Sequence, residues 1–128
     1  MFNSDWYNSL TKPDFAPPDW IFAPMWSILY VLMSISFIIY LTRKAPDKKP
    51  GYFYFVTQLI LNLIWTPAFF YLKSPLLAFF IIVAMDIFVI LTIRKFYSIS
   101  KLSALLLIPY LLWILFATYL NLGYFLLN

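Results

Sequence analysis

Three segments of the chain place large aromatic rings and side-chain amides at helical spacing. The members are Trp26, Tyr30, Met33 and Phe37, then Gln58, Asn62, Trp65 and Phe69, then Tyr110, Trp113, Ala117 and Asn121. Steps of three and four residues put each set on one face of an α-helix. Such faces can stack against a flat, apolar molecule, and their amides can hydrogen-bond its polar groups.

Conventional catalytic and metal-binding groups are scarce. The chain has no Cys and no His, which excludes thiolate nucleophiles, imidazole bases and Cys/His zinc sites. Its 2 glycines are too few for a Gly-rich phosphate loop. We therefore expect no metal site and no required cofactor, and the aromatic faces are the main candidates for function.

Asp86 is the one acidic residue inside a long apolar stretch, and an ionisable residue in such a position is a functional candidate. We predict that its carboxyl group is buried and hydrogen-bonded to a Tyr, Ser or Thr of a neighbouring helix. A proton relay or a cation site is the alternative.

The composition of the chain indicates the class of protein to which these residues belong. The 128-residue chain is 64% hydrophobic and 11% charged, whereas soluble domains are roughly 45–50% apolar and about 25% charged. Its net charge of +4 comes from Lys and Arg scattered between apolar runs, which argues against a nucleic-acid-binding face. The composition therefore predicts an integral membrane protein.

Four apolar stretches are long enough to cross the hydrocarbon core of a bilayer as helices, which takes about 20 residues each. They cover residues 20–42, 52–72, 76–93 and 102–122, after a segment at 1–19 that is rich in Asp and Pro. The sequence thus predicts a single transmembrane domain over residues 1–128, an all-α polytopic bundle of four helices.

The basic residues are distributed unevenly between the two ends of these spans. The loops after the first and third spans hold Arg43, Lys44, Lys48, Lys49, Arg94, Lys95 and Lys101. The positive-inside rule places these loops in the cytoplasm. Both termini are therefore predicted to lie outside the cell. The membrane is predicted to be the cell membrane of a bacterium or archaeon.

The polar groups of the three aromatic faces avoid lipid, so the faces should point into the bundle. Aromatic residues near span ends, such as Tyr124, are interpreted instead as anchors at the membrane surface. One interpretation is that the three faces pack together as an aromatic core, with no space for a ligand. The other is a ligand pocket, because Pro67 and Pro109 disturb their helices and leave room between them.

Two patterns resemble the tryptophan-rich sensory protein/translocator protein (TspO/MBR) family. The first is WYxxLxKPxFxPPxW, from Trp6 to Trp20, and the second is PYxxWxxFAxxLN, from Pro109 to Asn121. The resemblance implies a TspO-like bundle that binds tetrapyrroles such as protoporphyrin IX in a Trp-lined pocket, as a sensor, receptor or carrier and usually as a homodimer. Some bacterial members are thought to promote light-dependent breakdown of the bound porphyrin.

The family motifs extend to individual residues. Trp26 and Trp113 resemble the tryptophans tied to porphyrin breakdown, and are the catalytic candidates if that reaction occurs. Lys12 is expected at the pocket mouth, where it would attract porphyrin propionates. The predicted ligand-binding residues are Tyr7, Lys12, Trp26, Tyr30, Asn62, Trp65, Phe69, Tyr110, Trp113, Ala117 and Asn121.

The chain departs from the family pattern in two ways. The family usually has five spans, so the chain is interpreted as a four-span variant lacking the first helix, with a pocket open to lipid or closed by a second subunit. No basic residue follows Lys101, so the C-terminal pattern linked to cholesterol fails and cholesterol is not expected as a ligand.

Two alternative functions stay open, and the sequence does not decide whether the protein is an enzyme. One is a dedicated porphyrin-degrading enzyme. The other is a proton-coupled small multidrug exporter that uses Asp86, although such an exporter is expected to carry its acid in the first helix.

Overall fold

A computed structural model describes residues 21–72 and 74–127, and all regular structure within them is helical. The elements are α1 (Phe22–Thr42), α2 (Lys49–Thr66), a π-helical segment (Pro67–Tyr71), α3 (Pro75–Tyr97), α4 (Lys101–Leu106) and α5 (Ile108–Leu127). The predicted all-α class is confirmed. Two of the predicted site residues, Tyr7 and Lys12, lie outside the described residues.

Three of the described segments are long and apolar enough to cross a membrane: Pro24–Thr42, Pro75–Tyr97 and Lys101–Leu127. Helix α2 is less apolar because it carries Gln58 and Asn62, which are both buried. Its exposed residues, by contrast, include Phe53, Val56, Ile60, Leu63 and Ile64. An apolar outer face with inward amides is the pattern of a helix in a membrane bundle, and the fold is that of a polytopic membrane protein.

Both prolines that were expected to disturb helices do so. Pro67 follows the last α-helical residue of α2 and begins the π-helical segment. Pro109 follows the break at Leu107, which separates α4 from α5. A proline lacks the backbone N–H that regular α-helix geometry requires, so both breaks follow from the sequence.

Two serines fix where helices begin. The hydroxyl of Ser74 accepts a hydrogen bond of 3.2 Å from the backbone N–H of Leu77 at the start of α3. The hydroxyl of Ser100 accepts one of 3.3 Å from the N–H of Ser103 at the start of α4. Each cap satisfies a backbone donor that a helix start leaves unpaired.

Helix α3 lies at the centre of the bundle and packs against α2, α4 and α5, while α1 packs against α4 and α5. Ser36 of α1 and Ser103 of α4 are in close contact, since each hydroxyl donates a 2.6 Å hydrogen bond to the other residue's backbone carbonyl. Small polar residues of this kind let membrane helices approach closely.

Helices α1 and α2 are joined by a short loop but do not pack backbone to backbone. They meet through long side chains, such as the rings of Phe37 and Phe55, which stack with centroids 4.4 Å apart. A groove of about 360 Å³ opens between the two helices.

Candidate functional site

A hydrogen-bonded network joins α1, α2 and α5 in the interior of the bundle. The hydroxyl of Tyr30 donates to Oδ1 of Asn62. Nδ2 of Asn62 donates to the Tyr110 hydroxyl at 2.8 Å. That hydroxyl in turn donates to Oε1 of Gln58 at 2.7 Å. The Asn62 amide and the Gln58 side-chain oxygen therefore have tyrosine partners from other helices, and the Gln58 amide nitrogen donates to Met33 Sδ at 3.6 Å. An unpaired polar group in lipid would be costly.

Four rings pack around this network, and we refer to Trp26, Tyr30, Tyr110 and Trp113 as the four-ring cluster. The centroid of the Trp26 ring lies 5.9 Å from that of Tyr30 and 6.4 Å from those of Tyr110 and Trp113. Trp26 meets the other tryptophan edge to face, at an interplanar angle of 87°. Separations of this size are those of interacting aromatic pairs.

A second group of predicted residues lies on α5 and on the last turn of α2 with the π-helical segment. The indole N–H of Trp65 donates to Oδ1 of Asn121 at 2.9 Å, and Nδ2 of Asn121 donates to the backbone carbonyl of Pro75 at 2.7 Å. The rings of Trp65 and Phe69 stack at 5.4 Å. Ala117 is also buried, one turn before Asn121 on α5.

The prediction that all three aromatic faces turn inward is confirmed, because none of their twelve members is exposed. The only half-buried members are Trp26, Tyr30, Phe37 and Trp113. Tyr30 and Phe37 line the groove between α1 and α2, and Tyr30 also belongs to the four-ring cluster. The cluster therefore borders an opening on the lipid-facing side of the bundle.

The groove itself is almost wholly apolar. Its lining is Tyr30, Met33, Ser34, Phe37, Ile38, Phe55, Val56 and Leu59. The Ser34 hydroxyl donates to the Tyr30 backbone carbonyl at 2.8 Å, so it is already engaged within α1. A lining of this kind suits the apolar part of a ligand.

Asp86 has the kind of partner that was predicted. The carboxylate is buried, and its Oδ2 lies 2.7 Å from the hydroxyl of Thr118 on α5. Its Oδ1 has no hydrogen-bond partner among the described residues. The pair joins the middle of α3 to α5, apart from the hydrogen bonds of the Asn62 network.

No group of three or more His, Cys, Asp and Glu side chains comes together in residues 21–72 and 74–127. The arrangement of the described site offers ring stacking, edge contacts and a few hydrogen bonds. Groups of this kind can contact the faces and edges of a flat aromatic molecule.

One residue of the hydrogen-bonded network was not predicted as a ligand-binding residue. Gln58 lies on one of the aromatic faces, and its central position in the network could have been expected from its spacing of four residues before Asn62. The interpretation of Tyr124 as a surface anchor is wrong: it is buried, and its ring lies 5.7 Å from that of Phe69. Its position three residues after Asn121 places it on the same inward face of the helix, and this spacing could have indicated burial.

The fold and site define an α-helical membrane protein with an aromatic and amide-lined interior. Over residues 1–127 the chain matches the TspO/MBR family, and it belongs to that family.

Relatives from different domains of life agree with this assignment. The chain is 46% identical over 123 residues to the tryptophan-rich protein TspO of Archaeoglobus fulgidus, covering 96% of this chain and 80% of the relative. It is 42% identical over 118 residues to the tryptophan-rich protein TspO of Chlorobaculum tepidum, covering 91% and 75%. It is 34% identical over 122 residues to the human translocator protein, covering 91% and 70%.

Proposed function

We propose that this protein binds a tetrapyrrole such as protoporphyrin IX between α1, α2 and α5, and serves as its sensor, receptor or carrier. The observation that carries the proposal is the four-ring cluster beside a lipid-facing groove, with Tyr30 common to both. A flat apolar ring system gains contact area from aromatic faces and edges. Relatives named tryptophan-rich sensory protein and translocator protein support a role in sensing or transfer.

The groove is the proposed entrance. Its volume of about 360 Å³ lies near the lower end of the roughly 300–1,000 Å³ typical of ligand pockets. A tetrapyrrole therefore needs additional room, and the Tyr30 ring is the side chain between the groove and the interior. We expect ligand binding to displace this ring and break its hydrogen bond to Asn62.

The N-terminal residues complete the proposal. Tyr7 is proposed to line the pocket, and Lys12 to attract the propionates of the ligand at its mouth. An exposed ammonium acts through a field that salt screens over about 10 Å at 0.1 M. Lys12→Gln should therefore lower the affinity for protoporphyrin mainly at low salt, whereas equal affinities at low salt would exclude this role.

A protoporphyrin titration of the purified protein, followed by quenching of tryptophan fluorescence, tests the pocket. Trp26→Ala, Trp65→Ala and Trp113→Ala should each weaken binding by about 1–3 kcal/mol, because each removes aromatic contact area. Phe80→Ala is the matched control, since this ring is 64% exposed on the outside of α3. Unchanged affinity in all three tryptophan variants, with helical content intact, would place the ligand elsewhere.

Light-dependent breakdown of the bound porphyrin is the second candidate activity. It is favoured by the direct contact between Trp26 and Trp113, the two tryptophans that the family motifs connect with this reaction. Bound protoporphyrin should then lose its absorbance under light and oxygen, and more slowly in Trp26→Phe and Trp113→Phe. Equal loss in the dark would contradict a photochemical reaction and favour a dedicated degrading enzyme.

Two properties of the assembly remain proposals. We propose that both termini face outward, and that two copies form a homodimer held by packing of small and aromatic side chains. Because the chain has no Cys, a single Cys added at either terminus can be labelled from one side of sealed vesicles. Labelling from the cytoplasmic side would reverse the orientation, and a monomeric mass in detergent and in nanodiscs would exclude the dimer.

A further inference from the structure

One end of the helix bundle carries a concentration of positive charge that the proposed ligand site does not use. We define the basic rim as Arg43, Lys44, Lys48, Lys49, Arg94, Lys95 and Lys101. They lie where α1 and α3 end and where α2 and α4 begin. The described residues supply one carboxylate at this end, that of Asp47, which lies 3.9 Å from Nζ of Lys95.

Hydrogen bonds and ring contacts fix the position of the loop between α1 and α2. Nζ of Lys48 donates to the backbone carbonyls of Arg43 at 2.6 Å and Leu41 at 3.3 Å, and lies 4.9 Å from the centre of the Tyr40 ring. The Tyr40 hydroxyl donates back to the Lys48 carbonyl at 2.7 Å, and its ring stacks on Phe96 of α3 at 4.1 Å. The loop therefore holds its basic groups next to those of α3.

The members of the rim differ in what their charges do. Lys48 satisfies backbone carbonyls, and Lys95 is paired with Asp47. The other five, Arg43, Lys44, Lys49, Arg94 and Lys101, are exposed, and within residues 21–72 and 74–127 none of them has a carboxylate within ion-pair distance. These five charges are available to an external anion.

The position of these five residues along the bundle axis indicates which anion they can contact. Exposed apolar side chains lie close to them in the chain: Leu41 is two residues before Arg43, and Leu102 directly follows Lys101. Apolar side chains of this kind belong in the hydrocarbon, so the adjacent cations lie at the level of the lipid headgroups. The phosphate groups of phospholipids lie at this level of a bilayer.

We propose that the basic rim selects anionic phospholipids, with Arg43, Lys44, Lys49, Arg94 and Lys101 contacting their phosphate groups. Clusters of four to eight basic residues next to membrane spans have the charge complementarity for this. The zwitterionic headgroup of phosphatidylcholine offers no net charge to the rim. This surface and the aromatic interior lie in different parts of the bundle, so lipid selection does not depend on the proposed tetrapyrrole binding.

Spin-labelled lipids test the proposal on the full chain in phosphatidylcholine vesicles. The fraction of label immobilised by the protein is compared between phosphatidylglycerol and phosphatidylcholine labels, at low salt and at high salt. We expect a preference for phosphatidylglycerol that decreases as salt rises, because exposed charges are screened. No preference at low salt would overturn the proposal.

Matched single variants separate the rim from overall charge. Lys44→Gln and Lys73→Gln each remove one positive charge from the chain. Lys73 precedes Pro75, the first residue of α3, whereas the rim residue Arg94 lies in the last turn of that helix. The first variant should reduce the preference by up to about fivefold, and the second should leave it almost unchanged. Equal losses in the two would overturn the assignment to the rim. A loss caused by inorganic phosphate but not by chloride at equal ionic strength would also overturn it, in favour of a free-phosphate site.

Discussion

The indole of Trp65 donates a hydrogen bond of 2.9 Å to the side-chain amide of Asn121, 56 residues further along the chain. The same amide donates to the carbonyl of Pro75, the first residue of α3. One asparagine thus connects α2, α3 and α5 close to the π-helical segment. In a membrane interior, where water cannot replace a missing partner, such a connection fixes the relative positions of the helices.

A double-mutant cycle measures this connection. Trp65→Phe and Asn121→Leu should each lower the thermal stability of the detergent-solubilised protein, and the double variant should be more stable than the sum of the two effects implies. The expected coupling free energy is roughly 0.6–1.7 kcal/mol, as for other hydrogen bonds between membrane helices. Strictly additive losses would mean that the hydrogen bond contributes nothing to stability.

Gly51→Ala should destabilise the protein, although this change usually favours a helix by up to about 1 kcal/mol. A methyl group at this buried position would lie 2.6 Å from Cζ of Tyr40. That ring cannot move away easily, because it is fully buried and stacked on Phe96. We expect a loss of about 1–3 kcal/mol, the usual cost of overpacking, measured by thermal unfolding. Tyr40→Leu/Gly51→Ala is the control, and a loss equal to the sum of the single variants would rule out the steric contact.

Thr118→Val should destabilise the contact between α3 and α5. Valine keeps the shape of threonine but removes the hydroxyl that lies 2.7 Å from Asp86 Oδ2. Since Oδ1 already lacks a partner among the described residues, the whole buried carboxyl group would lose its described hydrogen bond, at a cost of about 1–3 kcal/mol. Thr118→Ser keeps the hydroxyl and is the matched control. Equal unfolding temperatures for the two variants would count against the contact.

Much of the fold follows from local sequence signals. Helical periodicity identifies the inward faces, because a polar group that faces lipid is costly along the whole length of a span. Proline marks both helix breaks, since its effect on the backbone is local. The hydrogen-bonding partner of Asp86 also has the chemistry that was predicted, although the sequence does not identify Thr118 among the hydroxyl-bearing residues.

The remaining features depend on how the helices are arranged in space. Periodicity gives the face on which Asn62 lies but not that Tyr30 and Tyr110 reach it from two other helices. The groove exists because α1 packs on α4 and α5 and not closely on α2, its neighbour in sequence. Tyr124 was misjudged for the same reason: its position near a helix end indicated the membrane surface, but packing against Phe69 buries it.

Tyr30→Phe should affect stability and ligand affinity in opposite directions. The Tyr30 hydroxyl donates to Oδ1 of Asn62, so its removal leaves that buried oxygen without this donor and should cost about 1–3 kcal/mol of stability. If the ligand displaces the Tyr30 ring, the wild-type protein loses this hydrogen bond on binding and the variant has none to lose. Protoporphyrin should therefore bind the variant more tightly in the fluorescence titration. Tyr97→Phe, at a 56% exposed position, is the control and should change neither quantity. Weaker binding by Tyr30→Phe would mean that the hydroxyl contacts the ligand directly and that the ring is a fixed part of the pocket.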